Sequence, residues 1–277
     1  MALTCERRFA RCFCRYSGNI AIRYFIDNKK TIKGDRIEKK ECRRMEQKQR
    51  CVIIGAAEIQ HYEKIKTHFR NDDYYIYCDA GLKHQEALGV WPNLIIGDFD
   101  SYSKDEMERK YQRVGDTSMP ADANTAAYGD TPELIVLPCE KDDTDTVFAV
   151  KEALRRGFAD FLLVGVIGQR LDHTLANVSI LYMLDEAGKE GRILDDYSEM
   201  QLVSGGPVRI DDTCAYFSLL NLSGQAEGVT ITHAKYPLQD AAIHCDYQYG
   251  VSNEVLPGET AEVTVARGKL LLIKIFS

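Results

Sequence analysis

The chain contains no G-x-x-x-x-G-K-[ST] segment, no G-x-G-x-x-G segment and no kinase-type glycine loop. Any phosphate it handles must therefore be held by carboxylate-bound metal, helix N-termini and a few basic groups rather than by a glycine-rich cradle. There is no C-x-x-C pair or other zinc-ligand spacing among the nine cysteines, at 5, 12, 14, 42, 51, 78, 139, 214 and 245. An odd, scattered set argues for free thiols in a reducing compartment. Cys51, Cys78 and Cys139 lie in or beside apolar runs and read as small buried hydrophobes. Long apolar runs are missing too: the longest, residues 161–168, is too short to span a bilayer. Arg23 interrupts the apolar stretch at 20–26, so no secretory segment is visible. The expected setting is the cytoplasm, with no membrane partner.

What is present is ordinary for a globular protein: 277 residues, 45% hydrophobic and 28% charged, enough for one large domain or two modest ones. The net charge of −7 conceals an asymmetry, because residues 1–50 hold 15 Lys/Arg against 6 Asp/Glu, a balance of +9, which leaves −16 for residues 51–277. Nucleic acid is excluded as a partner for so acidic a body. Residues 1–48 are basic, lack any period and carry four of the nine cysteines. They read as an N-terminal appendage outside the core, with Met45 just ahead of the first apolar strand.

From residue 49 to 197 short apolar runs alternate with helical patterns. Strands are expected at 51–57, 75–78, 94–96, 134–137 and 161–166, with helices at 59–69, 82–88, 145–156 and 171–187. Alternation of this kind predicts a mostly parallel α/β domain, in which ligands bind at the carboxyl ends of the strands. The helix at 145–156 presents Val147, Val150 and Leu154 on one face, and the helix at 171–187 presents Leu171, Leu175, Val178 and Leu181 or Tyr182. Residues 115–132 form a polar loop or insert. Residues 198–277, with short strand-like pieces broken by glycine, predict a small C-terminal antiparallel β-sandwich.

The chemistry collects at strand-to-helix junctions. Leu94-Ile95-Ile96 delivers Asp98 and Asp100 to a strand end. In an extended backbone they would lie about 6–7 Å apart at Cα and on one side, where their repulsion favours a hard cation with oxygen ligands, Mg²⁺ above all. An acidic solvated turn explains the pair equally well. Two further clusters, Lys141-Asp142-Asp143-Thr144-Asp145 and Gly168-Gln169-Arg170-Leu171-Asp172-His173, sit at the starts of the two long helices. Read alone, the first suits a helix cap and the second a structural ion-pair set. All three together point to a metal-assisted phosphate site.

In this order and spacing, Asp79-Ala80-Gly81, Pro92, Gly97-Asp98-Phe99-Asp100-Ser101, the two helix-start clusters and Gly250-Val251-Ser252-Asn253-Glu254 resemble the bacterial thiamine pyrophosphokinases over residues 51–277. The resemblance implies an α/β catalytic domain followed by a β-sandwich that binds thiamine, and transfer of pyrophosphate from ATP to thiamine with Mg²⁺. It also implies a homodimer with thiamine bound between subunits. Asp98, Asp100 and Asp145 are then the metal-binding and catalytic carboxylates. Asp79, Ser101, Lys141, Asp142, Thr144, Arg170, Asp172 and His173 are the ATP contacts, and Ser252, Asn253 and Tyr236 the thiamine contacts. The chain departs from the family at Ala80, at Asn93 and in the length of the 115–132 insert. Two rival readings are a haloacid-dehalogenase-like phosphohydrolase, with Asp98 as nucleophile, and a non-catalytic thiamine or nucleotide sensor.

Overall fold

The computed structural model describes residues 22–24, 49–99, 131–138, 140, 142–222 and 224–276. Strand β2 (Cys51–Ile54) stands at the centre, because all four of its side chains are apolar and buried. Cys51 and Ile53 join the core on one face, Val52 and Ile54 the core on the other, as the period of two requires. Strands β3 (Tyr74–Cys78), β4 (Leu94–Gly97) and β5 (Glu133–Val136) add in parallel on one side of it. Beyond them β1 (Ile22–Tyr24) forms the parallel edge; the remainder of the basic appendage and residues 115–130 of the insert fall outside the described residues.

On the other side, β6 (Asp160–Val164) pairs with β2 and is followed by β7 (Glu190–Leu194), both parallel. The sheet does not stop where the sequence changes texture. Strand β8 (Ser198–Val203) turns back antiparallel to β7, and the ten-stranded sheet continues through β14 (Leu270–Ile275) to β10 (Tyr216–Leu220). A four-stranded antiparallel sheet of β9 (Val208–Asp211), β11 (Gln225–Thr232), β12 (Leu238–His244) and β13 (Thr260–Thr264) faces it, in the order β12-β11-β13-β9. A separate apolar core around Phe217, Leu219, Val229, Ile231 and Leu272 joins the two.

Helix α1 (Tyr62–Lys66) is shorter than the expected 59–69, because Gln60 and His61 instead donate their backbone N–H groups to the Asp196 carboxylate at 2.9 and 2.8 Å. Residues 79–88 form a 3₁₀ helix (Asp79–His84) that runs into α2 (Gln85–Leu88) and stops at Gly89, φ 68°. Helix α3 (Asp145–Arg156) has the expected bounds, with Thr144 accepting the Val147 N–H and Gly157 closing it at φ 96°. Its buried stripe is Ala149, Val150 and Ala153, with Val147 and Leu154 partly buried beside it.

Helix α4 (Leu171–Glu186) corrects an expectation. Its buried stripe is Asn177, Val178, Leu181 and Leu184, whereas Leu171 and Leu175 are 66% and 61% exposed. The first turn borders the crevice at the carboxyl edge of the sheet, where Arg170, His173 and Thr174 line it.

Candidate functional site

The sheet order places β3, β4 and β5 on one side of β2 and β6 and β7 on the other, so the connections after β2 and β6 leave in opposite directions. Such a switch point opens a crevice at the carboxyl ends of the strands. Here it is a cavity of about 460 Å³ lined by the loop after β2 (Gly55 to Glu58), the start of the 3₁₀ helix (Asp79, Ala80) and the loop after β6 with the first turns of α3 and α4. Asp79, Thr144, Asp145, Arg170 and His173 all face it. Three sequence clusters that are far apart in the chain thus meet in one place.

Glycine makes the close approach possible. The Gly55 N–H donates to the Val164 carbonyl at 2.8 Å, and a Cβ on Gly55 would lie 2.6 Å from the Gly165 oxygen. A Cβ on Gly81 would lie 2.5 Å from the Ile54 oxygen and 2.9 Å from the Gly55 oxygen, both backbone atoms that cannot move aside. Gly81→Ala is therefore expected to cost about 1–3 kcal/mol of stability, read as a lower urea midpoint. The strand expected at 51–57 ends at Ile54 for the same reason, since Gly55 to Ala57 cross over Gly165.

Asp98 stands at the end of β4, half-buried and next to the cavity wall: a Cβ on Gly97 would lie 2.7 Å from the Asp79 Cβ, so Asp79 packs directly on the backbone that leads into Asp98. Phe99, between Asp98 and Asp100 in the chain, departs from an extended backbone at φ 55°. A left-handed aromatic residue is a strained arrangement, and it turns the chain out of the strand. Asp100, Ser101 and Lys141 lie outside the described residues.

The helix-start clusters divide their labour. Thr144 caps α3, Asp143 pairs with Lys151 at 2.6 Å, Asp142 is exposed, and Asp145 enters the cavity. Arg170 donates to both Asp172 oxygens, at 2.9 and 2.6 Å. These hydrogen bonds hold the Asp172 carboxyl well below the usual carboxylate range. Both groups are exposed, so Asp172 braces Arg170 from the solvent side, and only Arg170 lines the cavity.

Several lining residues carried no visible signal in the sequence. Thr174 clasps the backbone of Gly168 with its hydroxyl, and the buried Asn177 donates to the Val166 carbonyl at 2.8 Å, together fixing the loop after β6. Lys83 adds a cation to the lining. Gly55, Ala56 and Ala57 supply backbone alone; an apolar strand followed by three small residues is the only hint of them.

Ser252, Asn253 and Tyr236 lie together in the antiparallel half and do not line the cavity. Asn253 is buried, donates its amide to the Tyr236 carbonyl at 2.8 Å and accepts the Tyr236 N–H at 3.0 Å. Its side chain thereby fixes Tyr236, which is exposed beside Ser252 at φ 57°. Asn93 ties neighbouring strands together. Its Oδ1 accepts the Tyr75 N–H at 2.8 Å and its carbonyl accepts the Glu133 N–H at 3.0 Å, joining β3 to β5 across β4.

The donor chemistry suits a hard cation, since carboxylates from two strand ends and one helix start reach this edge. Among the described residues, however, no three His, Cys, Asp or Glu side chains gather closely enough to hold an ion.

Two models of one family match the chain, the thiamin pyrophosphokinase catalytic domain over residues 65–191 and the thiamin pyrophosphokinase vitamin B1 binding domain over residues 208–270. The chain belongs to the thiamin pyrophosphokinase family. The first match spans most of the crevice and the second spans the Tyr236 and Ser252 region. The thiamine pyrophosphokinase of Bacillus subtilis (strain 168) is 29% identical over 202 residues, covering 72% of this chain and 86% of that protein. Among solved structures, thiamine pyrophosphokinase from Bacillus subtilis superposes with TM-score 0.67 at 23% identity, over 83% of this chain and 100% of the other. Thiamin pyrophosphokinase from Candida albicans does so with TM-score 0.63 at 13% identity, over 83% and 89%. At these identities the two structures are likenesses of fold. They bear out an α/β protein with a mostly parallel N-terminal sheet and an antiparallel C-terminal one.

Proposed function

We propose that the switch-point crevice holds the triphosphate of ATP, and that the chain uses it to transfer the pyrophosphoryl group to the hydroxyl of thiamine, giving thiamine diphosphate and AMP. One observation carries this assignment to the crevice: Asp79, Asp145, Thr144 and Arg170, from three separate clusters, line a single cavity inside the catalytic-domain match. Residues 49–197 are the ATP-binding part and 198–277 the thiamine-binding part, with Ser252 and Tyr236 as its contacts.

Asp98, Asp100 and Asp145 are the residues that would hold Mg²⁺, with Asp79 beside them, and the bound ion would neutralise charge on the phosphoryl oxygens. The protein groups do the positioning. The N-terminal turn of α3, with Thr144, Asp145 and Thr146 in the crevice lining, directs the positive end of the helix dipole toward the phosphates. Arg170 commits two of its N–H groups to Asp172 and keeps the rest of its donor fork for phosphate. Lys141, Asp142, Ser101 and His173 complete the proposed nucleotide contacts. Holding the thiamine hydroxyl in line with the β-phosphorus supplies up to about 7–11 kcal/mol of the barrier, and phosphoryl transfer of this kind needs little help from a base.

The exposed apolar side chains of Tyr236 and Val251, the latter next to Ser252 in the chain, support a homodimer in which a second copy completes the thiamine site. That Cys51, Cys78, Cys214 and Cys245 form no disulfide with one another fits a cytoplasmic setting. No helix among the described residues is long and apolar enough to cross a membrane.

The reading is tested by product analysis with thiamine, ATP and Mg²⁺. Thiamine diphosphate with equimolar AMP is expected; ADP would mean single-phosphate transfer, phosphate alone a hydrolase, and binding without turnover a sensor. Deleting residues 1–44 removes only the edge strand β1 from the described sheet and is expected to leave kcat within about twofold. Loss of turnover on truncation would give the appendage a role in the site.

A further inference from the structure

His84 ends the 3₁₀ helix, is only 2% exposed, and belongs to none of the acid or phosphate clusters. Both of its ring nitrogens are engaged: Nε2 lies 2.8 Å from the Ala57 carbonyl oxygen and Nδ1 2.9 Å from the Tyr62 hydroxyl. A carbonyl can only accept, so Nε2 carries the proton, Nδ1 accepts, and Tyr62 donates. A single tautomer of the neutral ring satisfies both contacts. Ala57 lines the crevice, and its own N–H donates to the Gly165 carbonyl at 2.7 Å. Its two backbone groups are thus tied to different walls, one to the loop after β6 and the other, through His84, to the helix that places Asp79 and Lys83 in the crevice.

We propose that His84 is a positioning residue for this crevice: its ring, oriented by Tyr62, locks the Ala57 wall to the Asp79 and Lys83 wall and sets the width at which a polyphosphate is gripped. The inference rests on the crevice being the nucleotide site. Burial is the main reason the ring titrates below the ordinary histidine range; the Ala57 hydrogen bond, Glu58 and Asp196 oppose it, and Lys83 adds to it. The ring is therefore neutral at neutral pH. As pH falls through that lowered value, Nδ1 gains a proton and the Tyr62 hydroxyl must change from donor to acceptor.

The test compares the full-length protein with its His84→Ala, His84→Gln and Tyr62→Phe variants, measuring calorimetric affinity for a non-hydrolysable ATP analogue with Mg²⁺, KM for ATP and thiamine, and kcat. His84→Ala is expected to lose roughly tenfold in nucleotide affinity, since the Ala57 carbonyl loses its donor. The thiamine KM should stay within about twofold, because Tyr236 and Ser252 sit in the other half of the molecule. His84→Gln, which can still donate to Ala57, is expected to restore most of the loss, and Tyr62→Phe to lose less than His84→Ala. A lowered melting temperature with unchanged nucleotide affinity in all three variants, or a fall in kcat alone, would overturn the inference. If the wild type itself binds no ATP analogue, the nucleotide reading of the crevice fails instead. Should His84→Ala not fold, Tyr62→Phe decides the matter together with the ¹⁵N shifts of the ring: a pure Nε2–H tautomer in the wild type and a mixture in the variant, with weakened nucleotide binding, support the proposal, and unchanged affinity overturns it.

Discussion

Replacing Asp145 with asparagine is expected to lower the rate of thiamine diphosphate formation on the order of 10³-fold while the protein stays folded. Asp145 is the first residue of α3, half-buried, facing the crevice and outside the apolar cores. Asparagine keeps its volume and its place behind the Thr144 cap, so what disappears is a negative charge in the crevice proposed to hold the triphosphate. Asp98→Ala should behave alike, because Asp98 follows the buried part of β4 rather than belonging to it. Circular dichroism and melting temperature would confirm that the fold survives. Near-normal turnover in either variant would remove the carboxylates from the mechanism.

The second large effect concerns stability and falls at the opposite, amino-terminal edge of the sheet. Arg50 precedes β2 and Asp73 precedes β3, and their side chains are 2% and 0% exposed. Arg50 donates to both Asp73 oxygens at 2.9 and 2.6 Å and to the His68 carbonyl at 2.7 Å, while Asp73 also accepts the Arg70 N–H at 2.7 Å. Asp73→Ala leaves a buried guanidinium without its counter-ion and is expected to destabilise the fold by about 3–5 kcal/mol. Replacing both partners with apolar residues should recover much of that loss, since the cost lies in the stranded charge. Urea unfolding of the single and double variants measures both; a loss under about 1 kcal/mol for Asp73→Ala would mean that water reaches the pair.

How much of this was legible in the sequence depends on the strength of each local signal. Helix α3 was, because Thr144 and Asp145 open it and Arg155, Arg156 and Gly157 close it. The buried parallel strands were, because runs such as Val52-Ile53-Ile54 are apolar on both faces. Strands β7 and β8 were not: Glu190–Leu194 and Ser198–Val203 mix polar with apolar residues, and their identity comes from pairing with each other across the turn at Asp195, whose carboxylate accepts the Tyr197 and Ser198 N–H groups. That turn falls at the expected boundary near 197, yet the sheet runs through it.

The lining of the crevice was legible where it is charged and illegible where it is backbone. Asp79, Asp145 and Arg170 stand out as residue types, whereas Gly55 to Ala57 contribute only close approach and hydrogen bonds. The left-handed turn at Phe99 was hidden because nothing in an aromatic side chain announces a positive φ. Leu171 and Leu175 misled for a related reason: helical spacing names a face but does not say how far along the helix that face is buried.

The most direct measurement is the anomalous-difference map of a crystal grown with Mn²⁺, a non-hydrolysable ATP analogue and thiamine. Metal density in contact with Asp145 and with Asp98 or Asp100, touching the nucleotide phosphates at the carboxyl ends of β2, β3 and β4, is the expected result. Metal and nucleotide bound elsewhere, with the crevice acids contacting neither, would contradict it.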